Sequence, residues 1–413
     1  MKSTKIILKN CSLIDANNEK PSAPCTVVIN NDIIESITHE KCGDENAKVI
    51  DLHNHFLLPG LIDNHSHVSA TQIDLSDANI PESYRAIQAK DFLERMLQRG
   101  FTSLRDAGGA DYGLVLATER GLINGPRIFP SNKAISQTGG HGDFYVRNEP
   151  FDACFCRCGG SSISVIADGI AAVRKTVREQ IRQGATQIKI MASGGVASPT
   201  DNIHNVQFSE EEISAIVDEA NHASTYVMAH AYTPEAISRC VNNGVRSIEH
   251  GNLLDEKTAR LMHEKGAYLV PTMVVYHSLA LLGKEEGFPA ESLAKLPEVI
   301  ENALRSVEIA RRENVKVGFG TDLLGPKSQA MQSEEFNIRK RGSETAHQII
   351  CSATAINAEI LHHENKLGII KQNAFADLIA VDGNPLNDIS LLTGQGEHLS
   401  LIMKAGKIYK NTI

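Results

Sequence analysis

No stretch of this chain is apolar for long enough to span a bilayer. No cluster of lysine and arginine marks a nucleic-acid or anionic-membrane surface, and a formal charge of -9 argues the same way. Cysteine is sparse, since eight in 413 residues do not make a disulfide framework. The opening MKSTKIILKNCSLIDANNEK has only a three-residue apolar run, Ile6-Ile7-Leu8, so no signal-peptide core is expected there. Gly194-Gly195 has no Walker pattern around it, and no Ser or Cys sits in a nucleophile elbow. What remains is an ordinary globular composition, 42% hydrophobic and 22% charged, expected to be cytoplasmic and to act on small molecules.

At this length, one large domain plus a smaller one is expected. Residues 1–58 read as short strands and turns, with a hairpin signal at Asn30-Asn31-Asp32 and a turn at Asn17-Asn18. The C-terminus reads the same way from Ala376 onward. Residues 1–58 and 367–413 are therefore expected to form one small β-sandwich domain. The middle alternates short apolar strands with amphipathic helices, the βα rhythm of a parallel sheet. Strands are expected at 60–68, 101–105, 127–130, 186–192, 226–231, 245–250, 267–272 and 315–321. Helices are expected at 81–99, 112–123, 165–183, 209–223, 233–243, 255–265, 291–313 and 344–362, with Gly266 and Asn314 as C-caps. Eight of each predict a (β/α)8 TIM-like barrel over 59–366. Residues 137–160 and 193–208 read as long βα loops, on the face where such barrels build active sites.

Several strand ends carry groups with chemistry. PGLIDNHSHV places His65 and His67 two residues apart, on one face of an extended strand. Alone, the pair reads equally as two metal ligands or as two satisfied histidines. The nearby His53-Asn54-His55 has the same spacing, but it precedes Pro59-Gly60 and reads as a hairpin turn. Later strand ends add Lys189, His230, His250 and Asp322. An unpaired ammonium at Lys189, among isoleucines, would carry a heavy desolvation cost. Reaction with carbon dioxide would turn it into a carbamate anion able to bridge two cations; the alternative is an ion pair with a carboxylate such as Asp322. Four histidines, a carbamate and an aspartate can hold two divalent ions, with zinc first and manganese or cobalt also compatible. Such a pair acidifies a bridging water and polarises a carbonyl, while Asp322 moves the proton to a leaving amine.

Together PGLIDNHSHV, QIKIMASGGV, VMAHAY, SIEHGN and GFGTD resemble the binuclear, carboxylated-lysine branch of the amidohydrolase superfamily, over nearly the whole chain. The resemblance implies that His65, His67, Lys189 and Asp322 hold one metal and that Lys189, His230 and His250 hold the second. SQTGGHGD, KIMASGGVASPTD and HAYTP are further similar to the prolidase-like members. Those cleave dipeptides and N-acyl amino acids beside a free carboxylate, and relatives act on ochratoxin A. This implies that His141 and Tyr232 face the substrate, at its carboxylate or its scissile carbonyl.

Other residues stay open. Arg105 either binds an anion or pairs with Asp106 or another carboxylate. His204 either touches substrate or does not. His222, His263, His347, His362 and His363 fall on helices and read as structural. Cys154, Cys156 and Cys158 match no zinc spacing and read as reduced thiols in a loop. Within enzymes, the competing reading is a cyclic-amide hydrolase of the hydantoinase or imidazolonepropionase kind. Outside enzymes, it is a silent binding protein that keeps the barrel. The sequence leaves substrate side chains and oligomeric state open, although barrels of this size commonly form homo-oligomers.

Overall fold

The computed structural model describes residues 5–16, 18–39, 47–73, 75, 80–144, 163–198 and 201–413. Asn17, Cys154, Cys156 and Cys158 lie outside the described residues.

The first five strands are β1 (Lys5–Leu13), β2 (Cys25–Asn30), β3 (Ile33–Thr38), β4 (Lys48–Asp51) and β5 (Phe56–Pro59). β2 and β3 pair antiparallel around the two-residue turn Asn31-Asp32, and Asn31 adopts the left-handed conformation such turns favour, at φ 55°. His53 and Asn54 also have positive φ, at 49° and 67°. They make a turn, as expected, but not a hairpin. β4 and β5 do not pair with each other; each runs parallel to a different part of β1.

The middle of the chain supplies β6 (Leu61–Ser66), β7 (Phe101–Asp106), β8 (Arg127–Pro130), β9 (Ala134–Ser136), β10 (Ser164–Ile166), β11 (Ile188–Met191), β12 (Val227–Ala231), β13 (Ser247–His250) and β14 (Tyr268–Val270). They form two parallel sheets, β6-β7-β8 and β10-β9-β11-β12-β13-β14. Helices follow most strands, as the alternation predicts. Ser209 and Glu212 close a reciprocal capping box on the helix Glu210–His222, and Gly266 ends the helix Glu256–Lys265 at φ 69°. The expected helix at 165–183 starts later, at Ile170, because Val165 and Ile166 are taken into β10 beside β9. The helix Met273–Leu282 is all but continuously apolar and was not expected; it has no polar face for periodicity to find.

The expected eighth strand departs from regular structure. Val317 makes a single parallel bridge to Leu269, and Gly318 N donates to Leu269 O at 2.8 Å. On the other side Asn64 N donates to Phe319 O at 2.9 Å. Side-chain amides replace much of the ladder: Asn357 Nδ2 donates to Phe319 O at 2.8 Å and to Ile62 O at 2.7 Å, and Phe319 N donates to Asn357 Oδ1 at 3.0 Å. Asn357 reaches there because the expected helix at 344–362 is interrupted by a wide π-turn at Ser352–Ile356. Gly320 allows the close approach, since a Cβ there would lie 2.7 Å from the His65 side chain.

The chain returns through β15 (Leu378–Val381), β16 (Leu399–Lys404) and β17 (Lys407–Asn411). β15 pairs antiparallel with β5, so both termini build one eight-stranded sheet, in the order β17-β16-β15-β5-β1-β2-β3 with β4 also on β1. The hydrogen-bonded path is continuous through β1, and an apolar cluster packs Ile6, Leu8 and Val27 with Leu378, Leu401 and Met403. One apolar cluster runs from this sheet (Ile379, Leu399, Ile402) to β7 and the helix Glu82–Gln98 (Leu93, Leu97, Phe101). Among the described residues no helix is long and apolar enough to cross a membrane.

Candidate active site

The strand ends converge. His65, His67, His141, Lys189, His230, Tyr232, His250 and Asp322 all line one cavity. Register explains part of this: Met191 pairs with His230, and Ala231 with His250, so successive strands end at one level. His250 and Asp322 have left-handed φ, at 72° and 57°. Non-glycine residues hold that conformation only where the surroundings enforce it. At Asp322 the enforcement includes its own N–H, which donates to His65 O at 2.7 Å.

Each of the four imidazoles has one ring nitrogen engaged outside the cavity. His67 Nδ1 donates to Gly108 O at 2.9 Å, and His230 Nε2 donates to Gly194 O at 3.1 Å. His65 Nδ1 lies 2.7 Å from Glu249 Oε2, and His250 Nδ1 2.6 Å from Thr272 Oγ1. A carbonyl can only accept, so in the neutral rings the lone pair falls on His67 Nε2 and His230 Nδ1, the nitrogens then free to ligate a metal. Asp322 Oδ1 lies 3.1 Å from His67 Nε2 and 3.4 Å from His65 Nε2. His65, His250 and Asp322 offer ligand atoms all within 4.8 Å of one another. Oriented imidazoles around a carboxylate are a donor set that suits divalent cations.

Lys189 lies among them, with Nζ 3.4 Å from His65 Nε2. Among the described residues it forms no hydrogen bond to a carboxylate; the Asp322 pairing left open above is not made. Burial pulls its ammonium down to about 8, partly offset by Glu249 and Asp322. The neutral amine, the form that reacts with carbon dioxide, is therefore accessible near neutral pH. Burial opposes the charge on Asp322, but His65, His67 and His250 hold its carboxyl well below the usual range. Burial, with neighbouring cations, holds His230 and His250 well below ordinary histidine values.

Sequence reasoning missed Glu249. Its Oε1 accepts from Arg105 Nη2 at 2.8 Å and Ser247 Oγ at 2.6 Å, and its Oε2 faces His65. Despite burial, the Arg105 charge and the His65 contact hold Glu249 at about 2. Arg105 is thus settled as a structural partner. Its Nε also donates to Asn64 O at 2.7 Å, and it does not line the cavity. Strict alternation puts Glu249 and His250 on opposite faces. The left-handed turn at His250 breaks that rule and lets both serve the site. Glu249→Gln is expected to weaken metal binding about 10- to 100-fold by loosening His65. It is also expected to cost about 3–5 kcal/mol of stability by leaving Arg105 unpaired. Metal titration and denaturant unfolding check the two parts separately.

His141 stacks on His230, at 4.3 Å between centroids and 20° between planes. Gly195 allows the close approach of this ring, since a Cβ there would lie 2.3 Å from the His141 ring. Tyr232 Oη lies 3.1 Å from Tyr276 Oη. Val196, Ala197, Val275, Leu279 and Leu324 supply apolar wall. His204 is exposed, pairs with Glu298 at 3.2 Å and is not part of the lining. His222, His263, His347, His53 and His55 are also outside it, as are His362 and His363, which lie just past the helix Asn357–Ile360 rather than on it.

The amidohydrolase family model matches residues 56–408. The chain belongs to that family. It is an enzyme, a hydrolase of amide or peptide bonds. The match begins at β5 and ends within β17, so it takes in part of the terminal sheet. This amidohydrolase is 48% identical to a prolidase whose crystal structure holds N-methylphosphonate-L-proline, with 99% of this chain and 100% of that one covered at a TM-score of 0.96. It is 32% identical to a Xaa-Pro dipeptidase solved with bound methionine, with 99% and 100% covered at a TM-score of 0.88. By sequence it is 35% identical to the ochratoxinase of Aspergillus niger over 369 residues, 86% of this chain and 75% of that protein.

Proposed function

We propose that this amidohydrolase cleaves the amide bond of dipeptides or N-acyl amino acids that carry a free C-terminal carboxylate, as a prolidase does. The observation that carries the reading is the cavity, where metal-type donors, His141, Tyr232 and an apolar wall meet. Similarity to a prolidase complexed with a proline phosphonate supports the substrate class. His65, His67, Lys189 and Asp322 would hold one divalent ion, and Lys189, His230 and His250 a second, zinc in both cases. Lys189 would serve as a carbamate, its amine adding carbon dioxide and releasing a proton. When bound, the ions supply an acidified water and a polarised carbonyl. Asp322 takes a proton from the attacking water and delivers it to the departing amine nitrogen as the C–N bond breaks. His141 and Tyr232 orient the substrate.

The proposal includes the architecture. Hydrogen bonds from residues 317–319 to β14 on one side and β6 on the other support closure of the parallel sheets into a (β/α)8 barrel over 59–366. The β15–β5 pairing supports a small domain of residues 1–58 and 367–413.

Turnover of a panel of dipeptides and N-acyl amino acids by zinc-loaded protein, read as free amino acid released, tests the function. Linear substrates with a free carboxylate are expected to react, and their C-terminal amides to lose most of kcat/KM. Ring opening of hydantoins or imidazolones without linear turnover overturns the reading. Ochratoxin A belongs in the panel because of the 35% identical relative.

A further inference from the structure

Lys295 immediately precedes the helix Leu296–Arg312, far from every strand end along the sequence. Its Nζ donates to Gly195 O at 2.9 Å, Ser198 O at 2.6 Å and Asp201 O at 2.7 Å, and lies 3.4 Å from Asp201 Oδ1. An ammonium has three protons. All three therefore have carbonyl acceptors in the loop that follows β11. The side chain is largely buried, at 15% exposure, so solvent weakens these bonds less than it would a surface pair.

The contacts continue into the cavity. Asp201 Oδ2 lies 3.5 Å from His141 Nδ1, and it accepts from Gln207 Nε2 at 3.2 Å and Gly195 N at 3.3 Å. Gln207 Oε1 in turn accepts from the His141 backbone N–H at 2.9 Å. The His141 ring fills the space beside Gly195 and stacks on His230. A carboxylate and a glycine held by Lys295 thus form two sides of the His141 seat. The first turn of the same helix connects to the cavity lining by a second route. Val299 O accepts from Asn252 Nδ2 at 3.1 Å, and Tyr276 Oη lies 3.1 Å from both Asn252 Oδ1 and Tyr232 Oη.

We propose that Lys295 is a positioning residue, which clamps the loop after β11 and, through Asp201, fixes His141 over the catalytic cavity. The inference rests on the reading of His141 as a substrate-facing group. Lys295 is itself no metal ligand, so loss of the clamp removes no proposed donor and is expected to lower turnover without emptying the site.

The test uses full-length, metal-loaded protein carrying Lys295→Met, with and without His141→Ala. Lys295→Met is expected to keep the wild-type metal content and to lower kcat/KM roughly 10- to 100-fold. In the His141→Ala background it is expected to cost less than about threefold more. Amide exchange at Gly194, Gly195 and Asn205 is expected to speed up about tenfold or more. Equal losses in both backgrounds, or unchanged exchange, overturn the proposal. Lys295→Arg keeps the charge and several donors, and it carries the same comparison if the methionine variant does not fold. Its loss is expected to be smaller, about 3- to 10-fold, and again dependent on His141. Exchange needs no substrate. If the wild type hydrolyses nothing in the amide panel, the proposed function falls while exchange still decides whether Lys295 holds the loop.

Discussion

Asp322→Asn is expected to bind metal and to lose hydrolysis by about 10²- to 10⁴-fold, the usual worth of a positioned acid–base group. The substitution is chosen for its backbone as much as its charge. Asp322 sits at φ 57°, and asparagine is among the few residues that tolerate the left-handed region. The shape and one oxygen stay beside His65 and His67, at the positions now 3.4 Å and 3.1 Å from them. What goes is the ability to take and return a proton. Elemental analysis and kcat on the same preparation separate the two properties. A near-wild-type kcat would show that the proton moves by another route. Loss of metal and activity together would make Asp322 a ligand first.

Much of this site was legible in the sequence, because strand ends are marked by simple patterns. His65, His67, Lys189, His230, His250 and Asp322 each lie in or just past a short strand-like run, and all six line one cavity. The terminal sheet was legible for the same reason. What escaped was whatever depends on broken regularity. The segment near Val317 has the composition of a strand, yet Asn357 takes over its hydrogen bonds. Glu249 drew no reading, because strict alternation sends it to the face opposite His250, and the backbone abandons that alternation at the next residue. Lys295 lies in a stretch with no motif, and its contacts span about a hundred positions of sequence. Such contacts leave no local periodicity to read. The sequence marks the groups with chemistry better than the groups that hold them still.

Charge bookkeeping around Lys189 leads to the second large effect. As an ammonium, Lys189 adds a cation to a cavity proposed to hold two divalent ions, and only Asp322 among the proposed ligands is anionic. As a carbamate it would add a second anion shared by both ions, and the donor set would balance two divalent charges far better. Lys189→Ala removes that anion and opens space beside His65. The variant is expected to hold no more than about one metal per chain and to lose at least about 10³-fold in kcat/KM, since both the acidified water and the polarised carbonyl depend on the pair. Acetate or propionate fits the vacated volume and carries the missing carboxylate, so either is expected to restore part of both metal content and turnover. A methanesulfonate control of similar size and charge tests whether carboxylate geometry matters. Full metal content and activity in Lys189→Ala without added acid would remove Lys189 from the site's chemistry. A fully active wild-type preparation with a single metal would overturn the binuclear arrangement itself, leaving the buried lysine, lowered to about 8, as a neutral hydrogen-bonding neighbour of His65.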